Sequence, residues 1–339
     1  MKPDCFEAIT RHYSKLRVAL IGDFCLDRYL EIDPARQEIS IETGLPVHNV
    51  VRVRSQPGAA GTILNNLVAL GAEAIYPIGF CGEDGEGFEL RRCLAETPGV
   101  KASVFVSTPD RRTFTYCKPL VMAAGKAPRE LNRLDSKNWS ATPANVEDQL
   151  ISGLRAIASE INVVIVMDQV DVAETGVITK RVLATIGELA SHKPDLLVIA
   201  DSRRSLRGYP AVAFKMNRAE LAALTDIPKE LTLEAAKRAA SELARKSQRP
   251  VFVTLSENGI LGADAQGQVE HAHALPVRGE IDIVGAGDAV MANLAAALTS
   301  GASVGEAIEL ANMAASVVIH QLGTTGTASR QQLRELLCP

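Results

Sequence analysis

Gly285, Ala286, Gly287 and Asp288 lie inside the stretch "DIVGAGDAVMANLAAAL", where two glycines flank an alanine, an aspartate follows at once and a long Ala-rich apolar run begins. Glycine lets the backbone come close to a ligand, and the unpaired amides and dipole at a helix N-terminus attract anions. A carboxylate at the same place repels a phosphate unless it has its own task, such as taking a proton from an attacking hydroxyl. An anion hole beside a base is the equipment of a phosphoryl-transfer site. The plain alternative is a glycine turn and an ordinary acid in a first helical turn, and these residues alone leave both readings open.

Other strings with chemical content are less telling. No G-x-x-x-x-G-K-[ST] occurs and no G-x-G-x-x-G follows the first apolar run, which argues against a P-loop or a dinucleotide fold. "GASVG" (Gly301 to Gly305) fits a nucleophile elbow, but it follows a helical run, and Ser303 with Glu306 reads as a capping box. His271 and His273 share a strand face without a third ligand nearby, so a surface strand is favoured over a metal site. Cys5, Cys25, Cys81, Cys93, Cys117 and Cys338 show neither C-x-x-C nor zinc spacing and read as reduced thiols.

These residues need elements to hold them. At 339 residues, 47% hydrophobic and net charge -4, the chain can bury a large core, and its charge balance points to neither nucleic acid nor a membrane surface. The N-terminal residues lack the apolar stretch of a secretory signal, so a cytoplasmic protein is expected. The uncharged runs Ala289 to Gly305 and Ala311 to Ser329 read as buried helices, since polar residues interrupt them. "RVALIG", "AIYPIGF", "INVVIVMD", "LLVIADS" and "PVFVTLS" look like buried strands and alternate with helical patterns such as "EAAKRAASELARK", which predicts a doubly wound, mostly parallel α/β sheet flanked by helices. Residues 29–56 and 111–135 alternate polar and apolar positions, as exposed antiparallel strands would, and are expected to form a small β lid on a single domain over 1–339. A lid that excludes water would suppress wasteful hydrolysis, and its exposed face is expected to pair two copies into a homodimer.

At this point the sequence resembles the PfkB/ribokinase family of carbohydrate kinases. The family's D-T-x-G-A-G-D signature is matched by Asp282 to Asp288, except that Ile283 stands at the threonine; its glycine signature is matched by "PGAAGTILNNLVALGA", with Ala59 replacing a glycine and Thr62 an asparagine. "KMNRAE" resembles its Asn-x-x-Glu segment, and "VTLSENGI" its Val-Thr-x-Gly-x-x-Gly turn, with Ser256 replacing a glycine. Within the family, "GDFCLDRY", "LNRLD", "GVIT", "ADSR" and "LANMAASVVIHQLGTTGT" are similar to the kinase half of bacterial heptose-phosphate kinase/ADP-heptose synthase proteins, although Tyr116 and Lys118 depart from its lid strand. The His-x-Gly-His motif of their second half does not occur, so a stand-alone kinase is expected.

The resemblance implies a ribokinase-like fold and transfer of the γ-phosphoryl group of ATP to a sugar or sugar-phosphate hydroxyl. It implies Asp288 as general base and the amides of Gly285, Ala286 and Gly287 as anion hole. It implies Asp27 on the acceptor hydroxyls, with Gly58, Ala59 and Thr62 lining the same side; Asp23 could instead cap a loop. Asn217 and Glu220 would organise Mg2+ and its waters, Thr254, Ser256 and Gly259 the nucleotide, and Asn312 the adenine. A monovalent cation, K+, would sit near Asp282 and Val284, which lacks a threonine's hydroxyl. Arg111, Arg112, Lys118 and Arg133 put cations near the acceptor's far end and favour a phosphorylated acceptor. A family member that binds without catalysis, and a nucleoside kinase of the same fold, are the competing readings.

Overall fold

Apolar runs with no polar alternation bury both faces of a strand, and they build the main sheet here. The computed structural model describes residues 1–228 and 231–337; the thiol of Cys338 lies outside them. Eight strands run in the spatial order Val269–Ala272, Ile260–Ala263, Val251–Thr254, Ala213–Asn217, Leu197–Ser202, Val163–Asp168, Arg17–Gly22, Ala74–Ile78. The six from Val251–Thr254 onward are parallel, and an antiparallel hairpin closes the other edge.

Side chains alternate across this sheet with a period of two and so feed two cores. Val18, Leu20, Val163 and Ile165 face helices Ala60–Leu70, Ala286–Thr299 and Val304–Ile319, whereas Ala19, Ile21, Val164 and Val166 face helices Ala144–Ile157, Lys180–His192 and Leu233–Ser247. Helix Ala286–Thr299 is buried from Ala289 to Ala297, its alanines letting neighbouring helices approach closely. The late uncharged runs are thus internal helices, and no helix among the described residues is long and apolar enough to cross a membrane. Ser303 and Glu306 form the expected capping box, which removes the nucleophile-elbow reading.

The lid differs from the expectation in three ways. Its first strand starts earlier, at Phe24, and its partner Val50–Ala59 ends later. Residues 33–49 between them form a short turn and a two-residue hairpin rather than lid strand. Strand Phe24–Ile32 pairs antiparallel with Val50–Ala59 but parallel with Thr115–Val121. Being central, and packed beside helix Gly85–Glu96, it is largely buried, with Leu26 and Ile32 inside and Arg28 paired with Glu89 at 2.8 Å.

The strand Arg17–Gly22 ends where the lid begins, so its last residue fixes the hinge between them. A Cβ on Gly22 would collide with the carbonyl oxygen of Met167 on the neighbouring strand. Gly22→Ala is therefore expected to cost about 1–3 kcal/mol, as overpacking does; an unchanged urea midpoint would contradict this close approach.

Candidate active site

At the mouth of helix Ala286–Thr299 the chain turns on Gly285, held at φ 83°. A Cβ there would lie 2.7 Å from Cγ2 of Thr325 and 3.5 Å from Cγ2 of Thr62, so both angle and space demand glycine. Ala286 gives its amide to the carbonyl of Ile283 at 3.2 Å. Gly287 and Asp288 fall in the first helical turn, where no upstream carbonyl reaches the amide. The expected amide set is therefore shifted: Ala286 is spent inside the turn, and Asp288 adds its own N–H.

Asp288 is half-buried at the start of the helix. Burial pushes its carboxyl up to about 7; Lys215 opposes the rise, while Asp201 and Asp27 add to it. Lys215 and Asp201 lie inside the strings "KMNRAE" and "ADSR", but neither has a role in the sequence reading. Lys215 Nζ lies 2.6 Å from Asp201 Oδ2, and both side chains are buried. The available signal was a lone lysine in the apolar strand "AFKMN", where lysine is rare unless paired.

Asp27 lies across from the turn. Its carboxylate is buried and accepts from Thr325 Oγ1 at 3.5 Å, with Lys118 Nζ 3.6 Å away. Burial raises its pKa and Lys118 opposes the rise. A Cβ on Gly58 would lie 2.8 Å from Asp27 Cγ, so that glycine is required by the carboxylate itself. Ala59 sits at φ 53° and Ser256 at φ 54°. Both positions where the family pattern has glycine and this chain does not are thus left-handed, a strain of about 1–2 kcal/mol each for a residue with a Cβ. Thr62 is buried beside the turn.

Asp23 resolves as a loop cap. Its carboxylate accepts the amides of Gln169, Val170 and Val177 at 2.8, 3.3 and 2.7 Å, closing loop 169–177. Arg111 is not available to an acceptor either: it is buried and donates to the carbonyls of Ser140, Ala141 and Thr175. Arg112 is exposed and 3.8 Å from Asp84. Arg133 does face the site, with its guanidinium 4.4 Å over the Tyr116 ring and 3.0 Å from Asp135. Arg203, the last residue of "ADSR" and given no role in the sequence reading, lies 3.7 Å from Asp171, and its charge is felt at Tyr116.

Asn217 and Glu220 form a reciprocal capping box at helix Arg218–Leu224: Asn217 Oδ1 accepts from the Glu220 amide at 2.9 Å, and Glu220 Oε2 from the Asn217 amide at 2.7 Å. Oε1 of Glu220 lies outside that pair, and burial with Asp201 nearby raises the carboxyl's pKa. Thr254 is the strand partner of Asn217. Asn312 donates to the carbonyl of His273 at 2.5 Å, the buried hydrogen bond that competed with an adenine contact. His271 is bonded to the Asn258 carbonyl at 2.7 Å. Asp282 Oδ1 accepts from the Val284 amide at 3.0 Å, so its carboxylate is turned into the loop.

Residues 17–331 match the family described as "pfkB family carbohydrate kinase". The bifunctional proteins HldE of Bradyrhizobium sp. and Azorhizobium caulinodans are 29% and 32% identical, over 98% and 94% of this chain but 66% and 64% of their own length. The chain thus spans about two thirds of the curated relatives it matches. Phosphofructokinase-2 from Escherichia coli in complex with potassium superposes with TM-score 0.70 at 19% identity over 96% of this chain and 98% of that one. Arabidopsis thaliana ribokinase complexed with ribose and ATP gives 0.65 at 19%, over 95% and 99%. These likenesses show the ribokinase-like fold. The chain belongs to the pfkB family of carbohydrate kinases.

Proposed function

We propose that the protein transfers the γ-phosphoryl group of ATP to a hydroxyl of a sugar or sugar phosphate, with residues 1–339 acting as one kinase domain with a β lid. The observation that carries this reading is the juxtaposition at Gly285: a carboxyl poised near neutrality, the free amides of Gly287 and Asp288, and the acceptor carboxylate of Asp27, which is linked to the turn through Thr325. A base works best when its pKa lies near the operating pH. The hydroxyl held by Asp27 attacks the γ-phosphorus, its proton passes to Asp288, and the bond to the β–γ bridging oxygen breaks as ADP leaves. Nucleotide contacts are assigned to Thr254, Ser256, Gly259 and the loop that Asn312 anchors. The cytoplasm, where ATP is made, is the compartment that suits this reaction.

Around the glycine turn the carboxyls of Asp201, Glu220 and Asp288 outnumber the cations Lys215 and Arg203, so a polyphosphate there meets carboxylate charge. This fits Mg2+, which takes few carboxylates and keeps its waters; Glu220 and Asn217 would hold it, and it would supply the charge that lets the phosphates enter. K+ near Asp282 and Val284 would bind through backbone carbonyls only, since Val284 has no hydroxyl and the Asp282 carboxylate is engaged.

The acceptor is assigned as a phosphorylated sugar. With Arg111 spent on carbonyls, Lys118, Arg133 and Arg203 are the cations left facing it. Supplied with magnesium ATP and a panel of sugars, sugar phosphates and nucleosides, the enzyme is expected to turn over a sugar phosphate best, and Arg133→Met should raise its KM by about 10- to 100-fold, the worth of a charge-assisted hydrogen bond. A preference for unphosphorylated sugars would contradict the acceptor class. Transfer to nothing in the panel would point to a member that only binds.

A second copy of the chain is the partner assigned to the lid. Val50–Ala59 is an edge strand, and Val50, Val51 and Val53 on it, with Ile39, Ile41 and Leu45 beside it, are exposed, Ile41 completely. An open apolar edge invites strand pairing. Light scattering at micromolar concentration should give a dimer mass; a monomer would contradict the assignment.

A further inference from the structure

Lys215 stands in the middle of strand Ala213–Asn217, between the buried side chains of Phe214 and Met216. Its ammonium lies 2.6 Å from Asp201 Oδ2 on the adjacent strand Leu197–Ser202, and a Cβ on Gly287 would be only 3.2 Å from Nζ. The ammonium is thus packed against the underside of the glycine turn. Three carboxylates face it from three elements: Asp201 from the neighbouring strand, Asp288 from helix Ala286–Thr299 and Glu220 from helix Arg218–Leu224. Burying an ion pair is an expensive way to gain stability, and apolar residues of similar size often serve as well or better. A buried pair at the foot of the glycine turn therefore calls for a task that apolar residues could not perform.

We propose that Lys215 is a further catalytic residue, resting on Asp201 while the site is empty and giving its ammonium to the phosphoryl group in transit. This rests on the phosphoryl-transfer reading above. An ammonium has three donors, and Asp201 engages one of them. When the acceptor oxygen bonds to the γ-phosphorus, its proton goes to Asp288, and the electron pair of the broken bond leaves on the β-phosphate of ADP. Charge on the transferred oxygens is greatest at that moment, and the newly neutral Asp288 no longer competes for the ammonium. Asp201 keeps the cation oriented without water, so its field needs no reorganisation when the charge appears.

A structural ion pair and a catalytic lysine give opposite results in a double variant. Lys215→Met and Asp201→Asn each leave one buried charge unpaired, and both should lower the melting temperature. Lys215→Met/Asp201→Asn removes both charges and should recover the wild-type melting temperature. Its kcat with magnesium ATP and the best acceptor should still be lower by about 10²–10³-fold, the loss seen when one preorganised donor is removed, while the acceptor KM moves by less than about threefold. A double variant, or Lys215→Met alone, with kcat within about threefold of wild type overturns the proposal. The wild-type rate separates the two claims: transfer by the wild type with an equally fast double variant overturns Lys215 alone, whereas no transfer by the wild type overturns the phosphoryl-transfer reading and this proposal with it.

Discussion

A helix that must begin on a residue with no side chain, wedged between two threonine methyl groups, is the constraint on which the rest of the structure depends. Thr62 reaches Gly285 from the helix that follows the lid, and Thr325 reaches it from the C-terminal loop. Asn66 ties those two segments together, accepting the Ala328 amide at 3.1 Å and donating to the Thr62 carbonyl at 3.0 Å. Thr325 also touches Asp27, so the Asp27 carboxylate, the glycine turn and the loop form one packed unit. Lid, main sheet and late helices meet there, and the carboxyls of Asp27 and Asp288 are placed by packing rather than by a flexible loop.

That placement works against stability. A carboxyl whose pKa is raised in the fold is disfavoured as the anion, so above its unfolded pKa it weakens the native state, and the native state binds the proton more tightly than the unfolded chain does. Asp288 is of this kind, and burial raises Asp27, Asp23 and Glu220 in the same direction. Ala59 and Ser256, two of the non-glycine residues at positive φ, add backbone strain. The two apolar cores on either side of the sheet offset both costs. Like charge gathered around one glycine turn, where Asp201 and Asp27 add to the rise at Asp288, is what a functional site looks like.

Features that depend on local sequence were legible. Unbroken apolar runs such as "VVIVMD" marked the strands, the glycines around Ala286 marked the turn, and Ser303 with Glu306 marked a helix start, because each follows from near neighbours in the chain. Features that depend on which distant segments meet were not. Asp201 and Lys215 pair across two strands, and only the parallel sheet register makes them neighbours. Arg111 looked like a free cation, yet loop 169–177 and the residues before helix Ala144–Ile157 bring carbonyls to it. The lid's parallel pairing was hidden because alternation reports which face a residue occupies and not the direction of its partner. The replacements at Ala59 and Ser256 stood out in the sequence, but their left-handed backbone did not.

The proposed chemistry turns on Asp288, and single-turnover phosphoryl transfer by Asp288→Asn, with nucleotide saturating, tests it most directly. Since burial disfavours the charged carboxylate, the neutral amide should leave the melting temperature equal or higher, so a lost rate is not lost folding. The expected result is a rate lower by roughly 10²–10⁴, the worth of a positioned base, with ATP affinity unchanged or slightly tighter. A folded variant that keeps more than about a tenth of the wild-type rate would contradict Asp288 as the base.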